Sequence, residues 1–144
     1  MQFSYPYIKD SSDGATLVSF PDVPGAVTEI RAEEDERAVI NDCLLAALGG
    51  YISRKRRTPL PSPAHGRPCV SLDLVTSAKL ALANEMAQQG ISNVALAAHL
   101  GVTEKVVRRL LDPDHRCRID RLEAALAALG RQVGLVVERG SRVA

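Results

Sequence analysis

Eighteen residues from Asn93 to Leu110, N-V-A-L-A-A-H-L-G-V-T-E-K-V-V-R-R-L, constrain this chain more tightly than any other stretch. The spacing is that of two short helices crossing through a tight turn. Leu96, Leu100, Val102, Val107 and Leu110 supply the apolar positions of a shared core, and Ala97 is small enough to let the second helix close on the first. Gly101 stands at the reversal, where a left-handed backbone is cheapest for glycine. Thr103 has the chemistry of an N-cap, and the helix after it carries Lys105, Arg108 and Arg109 on its outer side. The pattern predicts a helix-turn-helix whose second helix enters a DNA major groove. The plainer alternative is an αα-hairpin with a solvated basic face.

On the groove-entering reading, Thr103, Glu104 and Lys105 occupy the entrance of the second helix, where side chains reach base edges, and Arg108 lies one turn further along the same face. Lys105 or Arg108 can pair with guanine. Glu104 either accepts from cytosine or simply favours the positive end of the helix dipole. Arg109, Arg116 and Arg118 are expected at phosphates, which position a protein without specifying sequence. For His115 and Arg116, simple loop solvation is the competing explanation.

A formal charge of +1 argues against a polyanion partner until the chain is divided. Residues 1–50 hold three Lys/Arg against nine Asp/Glu, a net −6, whereas residues 51–144 hold fifteen against eight, a net +7. Opposite fields of this kind fit an acidic half facing a basic partner and a basic half facing nucleic acid. Trp is absent and aromatics are 3% of residues, so the core must rest on Ala, Leu and Val. Cys43, Cys69 and Cys117 form neither a Cys-x-x-Cys nor a close pairing with His, which makes a disulfide framework or zinc site unexpected. No basic-then-apolar leader opens the chain, and no apolar run is long enough to span a bilayer. A soluble, cytoplasmic protein is expected, with no cofactor and no metal.

Taken in order, Gln2 to Ile8 alternates Phe3, Tyr5 and Tyr7 as a strand, with Pro6 marking an edge or an interruption. Lys9 to Gly14 is turn chemistry, Asp13-Gly14 being a hairpin signal. Ala15 to Phe20 and Ala26 to Arg31 read as two more strands around the rigid loop Pro21 to Gly25. An acidic run, Glu33 to Glu36, opens a long helix whose apolar stripe would cover one face of an antiparallel sheet. Arg54 to Arg57 lie near its negative end and are read as solvated, dipole-favoured charge. Residues 58–68, with Pro59, Pro61, Pro63 and Pro68, form a linker or an extended return to the sheet.

Cys69 to Leu74 reads as a fourth strand, and Thr76 as the cap of a helix running to Gln89. Asp112-Pro113 ends the second helix of the central pair. A last helix, Ile119 to Leu129, is capped by Asp120. Gln132 to Glu138 alternates Val133, Leu135 and Val137 as a terminal strand expected to pair with its equivalent in a second subunit. The fold class is therefore α+β: a small N-terminal antiparallel sheet with one long helix in residues 1–74, and an all-α unit with a short terminal strand in residues 75–144.

The Tyr-Pro start, the loop Phe20-Pro21-Asp22-Val23-Pro24-Gly25, the Val-Thr strand after it, the acidic start of an Ala-rich helix and the Val-Ser-Leu strand resemble one family. Over residues 2–138 the chain is similar to HicB-type antitoxins, partners of small HicA-type toxins. The resemblance implies an inactive, partial ribonuclease H-like N-terminal domain that occludes a basic RNA-cleaving toxin. It also implies a C-terminal domain that represses the chain's own operon by binding operator DNA as a dimer, or a tetramer. On this resemblance the toxin would meet Asp22, Val23, Pro24 and Gly25, the neighbouring strand edges, and Glu33, Glu34 and Glu36 at the helix start.

Catalysis is not expected. Asp10, Asp13, Asp22 and Glu29 could suggest a metal-dependent nuclease, but three of the four fall in turns rather than on converging strands. No phosphate loop or nucleophile elbow is present. The main competing reading is a one-component transcription regulator whose N-terminal domain senses a small ligand.

Overall fold

The structure, a computed structural model, describes residues 2–139. It is α+β, with two small antiparallel sheets followed by a helical unit. The first aromatic stretch is two strands rather than one: β1 (Ser4–Pro6) and β2 (Ile8–Ser12) part at Tyr7. Pro6 ends β1, and Tyr7 turns its amide to Pro68 O at 3.0 Å. β2 then runs through most of the expected turn, and only Asp13 (φ 51°) and Gly14 (φ 79°) reverse the chain. Two successive positive φ values are the type I′ hairpin that Asp-Gly favours. β3 (Ala15–Ser19) and β4 (Val27–Ile30) complete a meander in the order β2-β3-β4.

Helix α1 (Glu36–Ser53) begins later than the acidic run, because Asp35 is its cap and accepts from the amides of Arg37 and Ala38. Glu33 and Glu34 precede it in a turn where Glu34 accepts from Arg31 N. Ile40, Leu44 and Leu48 bury one stripe of α1 against Tyr5, Val18, Phe20 and Ile30. Each such side chain contributes roughly 1.5–3 kcal/mol through burial.

The proline-rich segment is a packed strap and not a free linker. Thr58 donates from its amide and hydroxyl to Asn84 Oδ1 at 2.7 and 3.0 Å. Tyr5 donates its hydroxyl to Pro59 O at 2.7 Å, and Ser62 donates twice to Asp22 Oδ2. The strap delivers β5 (Cys69–Ser71) to β1 in antiparallel register, Tyr5 opposite Val70. β5 stops short of the expected Leu74 because Asp73 is already a helix cap.

Helix α2 (Leu74–Gln89) is capped by Asp73 rather than Thr76. Asp73 accepts from Thr76 N at 2.9 Å and Thr76 Oγ1 at 2.7 Å. Burial acts to raise the Asp73 pKa, but these bonds outweigh it and hold the carboxyl below its usual range. α2 belongs to both cores. Leu80 packs with the sheet and α1, while Ala78, Leu82, Ala83 and Met86 pack with the helices that follow. These are α3 (Asn93–Leu100), α4 (Glu104–Leu111) and α5 (Ile119–Ala128).

Two C-terminal expectations are corrected. Asp120 lies in the first turn of α5, whose cap position is held by Arg118 without a side-chain bond. Residues 131–139 form no strand; Val133 packs against the helical core while Leu135, Val136 and Val137 are exposed. A lone strand has no ladder to join within one chain. No helix of the described residues is long and apolar enough to cross a membrane.

Candidate nucleic-acid and partner interfaces

The α3–α4 pair takes the geometry its residues prescribe. Ser92 Oγ accepts from Ala95 N to start α3, and Gly101 adopts φ 66° to end it. Val102 N then returns to Ala97 O at 3.0 Å, closing the turn. Thr103 occupies the cap position of α4, but its hydroxyl makes no capping bond and is exposed. Val107, Leu110 and Leu111 face inward against Leu96 and Ala97. The opposite face presents Lys105, Arg108 and Arg109 to solvent.

The charged residues divide into two sets. Arg108 pairs with Glu104 one turn back at 3.1 Å, and Arg118 pairs with Asp120 at 2.9 Å. Both are exposed pairs, of a kind worth at most about 1 kcal/mol and easily exchanged for another anion. Lys105, Arg109 and Arg116 are exposed and, among the described residues, outside any ion pair. Glu104 and Arg108 also line an open cleft of about 1010 Å³ between α1 and the helical unit, with Asp42, Ile52, Lys55, Met86 and Asp114. Thr103, Lys105, Arg108, Arg109, Arg116 and Arg118 are thus exposed and Glu104 is half-buried, with Arg108 beside the cleft as well as open to solvent.

Lys79 is the residue that sequence reasoning missed. Its side chain is 1% exposed, and its ammonium donates to Asp112 O (2.6 Å), His115 O (2.7 Å) and Arg109 O (3.1 Å). Cys117 Sγ lies 3.2 Å away. A buried cation is tolerable here because it meets backbone carbonyls at the negative dipole end of α4 and in the loop after it. The bonds tie the end of α4 and the loop after it to α2, fixing the angle at which the basic face is presented. A lone lysine within the apolar run Ala78 to Leu82 was the available signal.

In the N-terminal region, the residues expected at a partner interface separate by burial. Val23 is fully buried, and Asp22 spends its carboxylate on Ser62, so these two hold the loop in place. Pro24, Gly25, Glu33, Glu34 and Glu36 are exposed. Glu36 is ion-paired with Lys9. Asp10, Asp13, Asp22 and Glu29 do not converge, and among the described residues no three His, Cys, Asp or Glu side chains are grouped to hold a metal ion.

An acidic sheet region joined through a shared helix to a unit with an outward basic face is the arrangement found here, and comparison with known proteins assigns it. Residues 2–81, which take in both sheets, α1 and the first half of α2, match the family described as HicB-like antitoxin of bacterial toxin–antitoxin systems. The chain belongs to the HicB-like antitoxin family. Similarity also extends through the helical unit. The chain is 33% identical over 132 residues to Antitoxin HicB 2 of Photorhabdus laumondii, covering 92% of this chain and 94% of that protein. It is 30% identical over 135 residues to Antitoxin HicB of Escherichia coli K12, covering 92% and 98%. The family assignment accords with a regulatory, non-enzymatic protein of a toxin–antitoxin system.

Proposed function

We propose that this chain is an antitoxin that neutralises an RNA-cleaving HicA-type toxin through residues 1–74 and represses its own operon through residues 75–144. The α3–α4 pair acts as a helix-turn-helix, with operator DNA as partner and a homodimer as the minimal binding unit. The observation that carries the DNA half is the outward Lys105, Arg108 and Arg109 face of α4, anchored at its far end by Lys79. Thr103, Glu104, Lys105 and Arg108 meet base edges; Arg109, Arg116 and Arg118 meet phosphates. Glu104 releases Arg108 at little cost when a guanine or phosphate competes for it.

Operator binding measured at increasing salt tests this division of labour. Affinity should fall steeply as phosphate contacts release counterions, and Arg109→Ala should lower the logarithmic salt slope by about 1. Arg108→Ala should weaken operator binding yet leave rescue of toxin-arrested growth intact. A flat salt response, or loss of rescue, contradicts the reading. The cleft between α1 and the helical unit supports a second reading, a regulator whose DNA binding depends on a small ligand. Operator binding that requires an added metabolite would favour it.

A further inference from the structure

The β2-β3-β4 sheet is covered on one side only. Val18 and Ile30 point toward α1 and are buried, so their pleat neighbours point away from it. Two rows lie at the middle of that outer face, beyond the Ser12–Ala15 pair at the hairpin. Ser19 stands opposite Ile8 and Val27, and Leu17 stands opposite Asp10 and Glu29. A sheet with one solvated face ordinarily places polar side chains there. Here Ile8, Leu17 and Val27 are 48%, 48% and 54% exposed.

We propose that this outer face, centred on Ile8, Leu17 and Val27 and rimmed by Asp10 and Glu29, is the surface on which a small basic protein docks. The proposal rests on the antitoxin reading and names where the toxin sits. Charge decides the occupant. Asp10 and Glu29 flank Leu17 on both sides and, among the described residues, neither is ion-paired. Lys9, the one cation on β2, lies on the alternate side of the strand and is neutralised by Glu36. A second copy of the chain docking face to face would bring two such acidic rims together, whereas a cationic protein is attracted by both. Aliphatic residues at the centre with charges at the rim are also the arrangement of a specific protein interface.

The surface does not end at the sheet. Among the described residues β4 is the edge strand of this sheet, next to β3 alone, so its outer edge is not paired in a ladder. Beside that edge Val27 and Thr28 form a shallow groove of about 390 Å³ with Val39, Cys43 and Ala47 of α1. Gly25 also lines it, which brings the exposed tip of the proline loop into the same surface. Val27 is common to face and groove, so a partner seated on the face reaches round the edge of β4.

The experiment uses the full chain and a cognate HicA-type toxin, inactivated by substitution for the binding measurements and active for growth rescue. Binding is measured by calorimetry for wild type, Leu17→Lys and the double variant Asp10→Lys/Glu29→Lys. All three altered residues are exposed, and retained operator binding confirms that each variant folds. Placing like charge against a cationic partner should weaken binding by about 100-fold or more and abolish growth rescue. Wild type that binds while both variants stay within about threefold of it overturns the docking face and leaves the antitoxin reading standing. Wild type that binds no toxin overturns both. Variants that lower only the oligomeric mass of the chain by itself, with toxin affinity unchanged, make the face a self-interface and overturn the proposal.

Discussion

The acidic sheet region and the basic helical region are both clamped to α2, but by different chemistry. The sheet region uses a proline strap latched by neutral hydrogen bonds, Thr58 to Asn84 and Tyr5 to Pro59. The helical region uses a single buried cation, Lys79, seated on three carbonyls. Leu80 and Leu82 stand two residues apart on the same helix, equally buried, yet serve different cores. One helix therefore joins both of the proposed surfaces. The two regions differ in what they leave open: aliphatic side chains on the sheet, arginine and lysine on α4. A protein surface suits one partner and a polyanion suits the other.

Leu80→Ala and Leu82→Ala break that comparison most severely. Each should cost about 2–5 kcal/mol, the range for truncating a buried leucine. Because Ile52 and Ala81 pack against both cores, either variant should shift one common unfolding transition. Two transitions in urea, each moved by only one of the variants, would show that α2 does not couple the regions.

Lys79→Met keeps most of the apolar stem but removes the ammonium donor from Asp112 O and His115 O. Hydrogen bonds to a charged group contribute about 1.5–3 kcal/mol each, and unpaired carbonyls can recruit water in part, so a loss near 3 kcal/mol is expected. Operator affinity should fall while toxin binding holds, since the hydrogen-bond partners of Lys79 all lie in α4 and the loop after it. Equal loss of both activities would mean that the lysine serves the whole fold and not the presentation of α4.

These contrasts were only partly legible in the sequence. Asp13-Gly14, Gly101 and Asp112-Pro113 fixed a hairpin, a turn and a helix end because each has a local cause, a positive φ or a missing amide. Helix starts were misplaced at residues 33, 76 and 120 because several capping residues competed within a few positions. Asp35 and Asp73 won by reaching amides two or three residues on, a choice made by tertiary placement. Lys79 and the Asp22–Ser62 latch join residues 30 or more apart, so no local pattern announces them. The same holds for the aliphatic sheet face. Only register and the position of α1 show that Ile8, Leu17 and Val27 face outward.

The smallest expected effect concerns the neutral latch, and it appears only in alkali. Burial raises the Tyr5 pKa to about 12 from 10.0; the bond with Thr58 opposes this, and the nearby Asp22 carboxylate adds to it. A folded-state pKa above the unfolded value means that the native state holds its proton more tightly. The stabilisation is complete below pH 10 and is lost as pH rises from 10 toward 12. At about 1.36 kcal/mol per pH unit, the wild type should lose roughly 1.4 kcal/mol between pH 8 and pH 11 that Tyr5→Phe does not lose. The two proteins differ only at Tyr5, so the difference between their urea midpoints at each pH isolates it. Tyr5→Phe should also start about 1 kcal/mol lower at pH 8, having lost the bond to Pro59 O. Parallel pH profiles would show that the strap opens before Tyr5 ionises, which would make the neutral clamp on α2 the weaker of the two.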